Sequence, residues 1–307
     1  MSKSVLVTGG AGFLGSHLVE RLVAAGERTS LVDTLSRGHR SWIHEDAHLH
    51  ELDIRDGPAL ERAVAGTAPE VVVHLAAMHF IPAVDGAPEL AWDVNVNGTQ
   101  TLLDALAQHP PELLVFASTA AVYPDRRGPI DETCEPGPPD LYGRTKLAGE
   151  QLVAAFAARS GTRCVSARIF NVIGRRETNP HVVPEIIGQL RLGSTSVRLG
   201  NLEPRRDYTD VVDVAAALHR LTELPPGAAT TLNVGSGRSV SVAELVQACG
   251  QLLGRPIDIE VEPGKLRKTD RLELVADSQR LRQTTGWEPT RSLPETLGEL
   301  LNEAESS

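Results

Sequence analysis

The sequence predicts an α/β protein, a doubly wound parallel sheet followed by a smaller mixed α/β C-terminal lobe. Three observations carry that expectation. Val5 to Asp33 reads as strand, glycine-rich turn, helix and strand in close succession. Val71 to Leu75 and Leu113 to Ala117 are continuous apolar runs of the kind that strands buried on both faces need, with helical periodicity between them. The 307 residues can bury a large core, as one big α/β domain or as a domain with an appendage.

The first strand, Val5-Leu6-Val7, meets Gly9-Gly10-Ala11-Gly12-Phe13-Leu14-Gly15 and then a helix over Ser16 to Ala25. Apolar Leu14, Leu18, Leu22 and Ala25 recur at helical spacing, and Gly26 stands where the helix stops. Gly9, Gly12 and Gly15 have separate uses: a sharp turn, close approach of backbone to a pyrophosphate, and tight packing of helix on strand. The phosphate charge would rest on the N–H groups around Phe13 and Leu14, at the positive end of the helix dipole. Asp33, at the tip of the next strand, can accept two hydrogen bonds from an adenosine ribose diol and repels a 2′-phosphate. The predicted cofactor is therefore NAD rather than NADP.

A third strand is expected from Leu49 to Ile54 and a helix from Gly57 to Ala65. Asp53 either reaches an adenine amino group, with Ile54 packed on the ring, or caps the following turn. The fourth strand ends in Leu75-Ala76-Ala77, where small residues let a cofactor lie across the strand tip. His74 reads as a packed strand residue rather than a catalyst. A helix follows from Glu89 to Gln108, and Asn95 within it reads as a structural hydrogen-bonding residue. Leu113 to Ala117 then delivers Ser118-Thr119-Ala120-Ala121-Val122-Tyr123, and a Pro/Gly-rich loop runs to Pro139.

Tyr142-Gly143-Arg144-Thr145-Lys146 opens a helix that reaches about Arg159. Tyr142 and Lys146, four apart, point from one helical face. A phenol with a pKa of about 10 is a poor base, but an ammonium and a nicotinium charge both favour phenolate. Tyr142 would take a proton from a sugar hydroxyl, or return one to a ketone, while Thr119 hydrogen-bonds the same oxygen. Lys146 can also hold the nicotinamide ribose.

The net charge of -10, with no basic stripe, argues against nucleic acid as a partner. Cys134, Cys164 and Cys249 match no metal or redox spacing, and no metal set is read. The chain enters its first strand without a secretory leader, and no apolar run approaches the roughly 20 residues of a membrane span. A soluble, cytoplasmic protein is expected.

Taken together, these motifs resemble the extended short-chain dehydrogenase/reductase family, in its nucleotide-sugar epimerase, dehydratase and reductase branch. The resemblance runs through the Gly9 to Gly15 loop, Asp53-Ile54, His74 to Ala77, Asn95-Val96-Asn97-Gly98-Thr99, Ser118 to Tyr123 and Tyr142 to Lys146. It continues in Arg168-Ile169-Phe170-Asn171-Val172-Ile173-Gly174, Arg206-Asp207-Tyr208 and Asn233-Val234-Gly235-Ser236-Gly237. It implies a Rossmann-type NAD-binding domain over residues 1–170, with 205–235 returning to it. Residues 171–204 and 236–307 would form a nucleotide-sugar-binding lobe, with a strand at Ile257 to Val261.

Thr119, Tyr142 and Lys146 match the family's catalytic residues, and Asn95 joins its cofactor contacts. Asn171 and Arg206 match residues that contact the nucleotide diphosphate, while Arg267 and Asp270 stand where relatives use an Arg and an acid for phosphate and ribose. The alternatives are a surface salt bridge for Arg206 and an ordinary charge-rich segment for Arg267 and Asp270. The helices Glu89 to Gln108 and Tyr142 to Arg159 look like the pair that forms a homodimer interface in the family.

Within the branch, sugar 4,6-dehydratases place Asp-Glu directly after the catalytic Thr, and this chain has Ala120-Ala121. Neither can move a proton, which disfavours dehydration. A 4-epimerase of UDP- or GDP-linked sugars is expected, with a 4-ketoreductase of deoxy-keto sugars as the alternative and a non-catalytic NAD-sensing regulator beyond that. Pro124 and Met78-His79-Phe80-Ile81-Pro82 depart from the common epimerase pattern. His79 and His181 are either pocket residues or ordinary loop and helix-end histidines.

Overall fold

The computed structural model describes residues 2–228, 230–265 and 271–303. The chain runs through β1 (Ser4–Thr8), α1 (Phe13–Ala24), β2 (Arg28–Asp33), β3 (His48–Glu51), α2 (Gly57–Thr67) and β4 (Val71–His74). Next come α3 (Ile81–Gly86), α4 (Pro88–Trp92), a π-helical turn at Asp93–Asn97, α5 (Gly98–Gln108), β5 (Leu113–Thr119), β6 (Pro129–Ile130), α6 (Leu141–Ser160) and β7 (Arg163–Ile169). They are followed by β8 (Asn171–Ile173), α7 (Val182–Arg191), β9 (Ser196–Leu199), β10 (Arg205–Asp210), α8 (Val211–Leu221) and β11 (Thr231–Val234). The last part holds β12 (Ser239–Ser241), α9 (Val242–Leu253), β13 (Asp258–Val261), β14 (Glu273–Ala276), α10 (Gln279–Thr285) and α11 (Leu293–Asn302).

Seven strands pair in the order β11-β7-β5-β4-β1-β2-β3, all parallel. Their residues alternate between two cores because successive side chains in a strand point to opposite faces. Val5, Val7, Val71, Val73 and Val115 pack with Leu18 and Leu22 of α1 and Val214 and Leu218 of α8. Leu6, Val72, Leu114 and Phe116 pack on the other side with Leu60 of α2, Leu102 and Leu106 of α5, and Phe156 of α6. Both faces are covered, as the continuous apolar runs require. The strand order reverses at β1, so the loops after β1 and β4 diverge there and leave a crevice at the carboxyl edge.

Two expected elements differ in extent. The third strand stops at Glu51 rather than Ile54, because Asp53 folds the chain over. Its Oδ1 accepts from Arg55 N at 2.9 Å, and its carbonyl accepts from Asp56 N at 2.9 Å. The single helix expected over Glu89 to Gln108 is interrupted by the π turn, which carries Asn95.

A smaller sheet, β12-β10-β14-β6 with β8 also on β10, lies beside the first, and β13 pairs with β9. Its helices α7, α9 and α11 share a core with Tyr208, Val197 and Leu199. Residues 205–210 belong to this sheet as β10, and the return to the seven-stranded sheet is made by α8 and β11. Three buried aspartates mark the crossing. Asp207 accepts from Ser236 N, Gly237 N and Ala276 N at 2.9, 2.8 and 3.1 Å. Asp210 accepts from Thr296 Oγ1 at 2.6 Å and pairs with Arg291 at 2.9 Å. Asp213 accepts from Thr290 N and Arg291 N at 3.0 and 2.9 Å. Among the described residues no helix is long and apolar enough to cross a membrane.

Candidate active site

Gly9 has φ +72° and donates its N–H to Val32 O at 2.7 Å. A Cβ on Gly9 would lie 2.8 Å from Ala76 N, and one on Gly15 would lie 2.0 Å from Gly9 O, so the protein's own packing excludes side chains at both. Gly12 is different: a Cβ there would meet only Gly9 O, at an ordinary 3.4 Å. The space over Gly12 is therefore free for a ligand. Gly12 is also the N-cap of α1 and offers no side-chain cap, and the first helical turn, which begins Phe13-Leu14, holds no acid. Its N–H groups suit an anion. A dinucleotide pyrophosphate fits this cradle.

Asp33 Oδ2 accepts from Ala11 N at 3.0 Å and Oδ1 from Leu35 N at 2.8 Å, which ties the glycine loop to the end of β2. A carboxylate has about four acceptor positions, so two stay open for a ribose diol. Asp53 is spanned by Arg55, whose Nε and Nη2 approach its two oxygens at 3.0 and 2.6 Å, and the resulting hydrogen bonds hold its carboxyl below the usual range. Ile54 is buried against α5, where Gly98 makes room for it. Leu75, Ala76 and Ala77 follow β4 at the crevice, with Leu75 N and Ala76 N donating to Thr8 O and Thr8 Oγ1 at 3.0 and 3.2 Å.

His74 belongs to a buried chain of hydrogen bonds. The Thr99 hydroxyl donates to Asn95 O at 2.7 Å, so it accepts from His74 Nε2 at 2.9 Å, and His74 Nδ1 accepts from the Thr8 hydroxyl at 2.6 Å. Burial, with the nearby Lys146 charge, pushes this imidazole down to about 3. Asn95 accepts from Met78 N at 2.7 Å and donates to Met78 O and Thr145 Oγ1 at 2.9 and 3.0 Å. Its amide is spent on holding the loop after β4 against α6, which is the structural role read from the sequence.

Helix α6 starts at an Asp140 cap that accepts from Gly143 N at 2.7 Å. A Cβ on Gly143 would stand 2.3 Å from Ala121 O. That glycine lets α6 close down on the turn after β5, which brings Tyr142 to Thr119. Burial pushes the Tyr142 phenol up to about 12, the Thr119 hydrogen bond pulling it down and the Asp140 charge pushing it up. Lys146 is buried with its Nζ 4.7 Å from the centre of the Phe116 ring. Burial lowers it to about 8 against the opposing pull of Glu150. Burial acts on the two groups in opposite directions, favouring the neutral phenol and the neutral amine.

The sequence reading assigned no role to Glu150 or Arg271 and no contacts to Arg168, Tyr123 or Asn233. Glu150 accepts from Ser118 Oγ at 2.5 Å and from Arg168 Nε and Nη2 at 2.9 and 2.7 Å. Arg168 lies 4.8 Å over Tyr123, whose hydroxyl donates to Asn233 at 2.7 Å. Arg271 reaches from the lobe to Ala121 O at 2.9 Å and Asp140 at 3.1 Å, which fixes the Thr119 turn against α6. Asn171 is exposed on β8 opposite Tyr208, and Arg206 Nη1 donates to Arg271 O at 2.8 Å. Arg267 and Asp270 lie outside the described residues. His79 and His181 come together with Glu177 and Asn179 beside the Lys146 end of the crevice.

A parallel sheet with a glycine cradle at its switch point and a Tyr-Lys pair on the neighbouring edge defines a dinucleotide-dependent enzyme of the extended short-chain dehydrogenase/reductase class. The family described as "NAD dependent epimerase/dehydratase family" matches residues 5–235, and the chain belongs to it. The UDP-glucose 4-epimerase of Corynebacterium glutamicum is 34% identical over 313 residues, which cover 96% of this chain and 93% of that protein. A UDP-glucose 4-epimerase of Thermotoga maritima, solved with UDP-glucose, superposes with a TM-score of 0.90 at 30% identity, over 97% of each chain. The Thermus thermophilus UDP-glucose 4-epimerase, in complex with NAD, gives 0.88 at 31% identity, again over 97% of each chain.

Proposed function

We propose that the chain is an NAD-dependent 4-epimerase of nucleotide-diphosphate sugars. One observation carries the reading. Thr119 and Tyr142 stand together at the end of β5 near Lys146, and the two residues after Thr119 are buried alanines that carry no proton. That set serves one carbon and no elimination. The chemistry that NAD would supply when bound is reversible hydride transfer at C4, the hydride returning to the opposite face once the 4-keto sugar has turned in the pocket. Tyr142 takes the C4 hydroxyl proton and returns it, and Thr119 steadies the oxygen. Lys146 holds the nicotinamide ribose, and its charge, with the cofactor's, makes the phenolate accessible. Gly12 with the first turn of α1 receives the pyrophosphate, Asp33 the adenosine ribose, and Ile54 with Leu75 to Ala77 lines the cofactor's course.

Residues 171–204 and 236–307, with Arg206 of β10, supply the sugar-nucleotide side: the family pattern assigns Asn171 and Arg206 to the diphosphate and Arg267 with Asp270 to phosphate and ribose. Two copies associate through α4, α5 and α6, where Leu90 and Trp92 are 44% and 43% exposed.

The test is to purify the protein without added cofactor, denature it and assay the supernatant for nicotinamide nucleotide. Near-stoichiometric NAD is expected, together with C4 inversion of UDP- or GDP-sugars followed by NMR. An empty protein that consumes NADH or NADPH against a 4-keto sugar would replace this reading with a ketoreductase.

A further inference from the structure

Two loops flank the crevice near Lys146: the one after β4, which carries His79, and the one between β8 and α7, which carries Glu177, Asn179 and His181. They meet as a cluster. One donor atom from each of His79, Glu177 and His181 lies within 4.8 Å of the others. Asn179, itself 6% exposed, sits among them with its Nδ2 at 3.0 Å from His79 Nε2 and 3.3 Å from Glu177 Oε1. An amide NH2 only donates, so His79 Nε2 presents a lone pair to it, and the ring is also hydrogen-bonded to the Ala77 backbone. This is how a metal-binding histidine is held: one nitrogen tied to a backbone carbonyl, the other aimed at a cation.

We propose that His79, Glu177 and His181 form a binding site for a divalent transition metal of the zinc type, the Asn179 amide hydrogens giving way to the ion. Bonds of about 2.0–2.2 Å in a tetrahedral site put ligand atoms roughly 3.4 Å apart. The separations here are all within 4.8 Å and therefore have to close by no more than roughly 1.4 Å, a side-chain adjustment. Two imidazoles and one carboxylate select zinc, cobalt or nickel over magnesium or calcium, and three protein ligands leave a position open. His79 is exposed, which gives an ion a way in. The metal would clamp the two loops together at the rim of the crevice. The sequence hid this set because His79 and His181 stand about a hundred residues apart, on loops joined only by the fold.

The experiment uses tag-free, full-length protein treated with a chelator and titrated with Co2+, whose visible absorption reports coordination. The expected result is saturation at one Co2+ per chain and displacement by Zn2+. His181→Ala and Glu177→Gln should each weaken binding at least tenfold, while His50→Ala, on β3 where the His48 and His50 rings lie 4.6 Å apart, should leave it unchanged. Bound NAD and circular dichroism are read on the same samples, so a variant that keeps both but loses cobalt tests this site and not the epimerase reading. Absence of a saturable band, or a band that survives in both His79→Ala and His181→Ala, would overturn the proposal.

Discussion

In cofactor-free protein the Tyr142 phenol should titrate near pH 12, and NAD should bring it down. At pH 8 a group of pKa about 12 is ionised in about one molecule in ten thousand. An opposite charge within about 4–6 Å lowers an acid's pKa by about 1–3 units, each worth about 1.4 kcal/mol. The nicotinium should therefore move the phenol to about 9–11 and raise the phenolate fraction at pH 8 by about ten- to a thousandfold. The chain has only three tyrosines, Tyr123, Tyr142 and Tyr208, so a tyrosinate absorbance titration is readable. The Tyr142→Phe variant is subtracted, and rapid pH jumps keep the protein folded at the alkaline end. A stripped protein whose Tyr142 titrates at the ordinary 10 would refute the burial argument, and a phenol unmoved by stoichiometric NAD would refute the activation argument.

Three further outcomes are expected. Gly12→Ala should stay folded, with a melting temperature near wild type, yet purify without NAD; Gly15→Ala, driven into Gly9 O, should lose stability as well, as thermal melts of the two variants will tell. Lys146 has a lowered folded-state pKa, so its burial costs stability fully below about pH 8 and ceases to cost it above the unfolded value of 10.5. Lys146→Met should accordingly stabilise cofactor-free protein at pH 7, by at most about 3 kcal/mol, and the gain should fade towards pH 10 in urea melts, whereas a gain that does not vary with pH would contradict the assignment. Glu150→Gln leaves the buried Arg168 guanidinium without its paired carboxylate and should cost roughly 3–5 kcal/mol in the same melts; a loss under 1 kcal/mol would mean that water or Tyr123 compensates.

The parts that were legible in the sequence are those whose chemistry is local. The Gly9 to Gly15 loop, the apolar strand runs and the Tyr142–Lys146 spacing each sit within one element and its neighbour, where backbone sterics and periodicity act directly. The illegible parts are made by distant segments. Nothing near Asn95 in sequence announces that its amide will be spent on Met78 and Thr145, or that a π turn will present it. Arg271 meets Ala121 across 150 residues, and Glu150 meets Arg168 across a strand boundary. Asp53 is intermediate: turn-capping and adenine-binding residues look alike until Arg55 is seen to wrap its carboxylate. In the lobe, short strands such as β8 and β12 carry too few residues for any period to show.

Asp207, Asp210 and Asp213 also constrain how the chain is made. Each emerges during synthesis well before a partner that completes its shell: Asp207 waits 69 residues for Ala276, Asp213 waits 77 for Thr290, and Asp210 waits 86 for Thr296. Until then the three carboxylates destined for the interior are only partly partnered: Asp207 can meet Thr209, Ser236 and Gly237 and Asp210 the N–H of Val212, while Asp213 waits for Thr290 and Arg291. The β10–α8 junction cannot close over them at acceptable cost, and β11 follows that junction in the chain. The nascent sheet is thus held open at one edge until the last helices arrive, which makes completion a late, long-range event. The two layers are consequently one folding unit, and a fragment cut between β11 and β12 should not fold by itself.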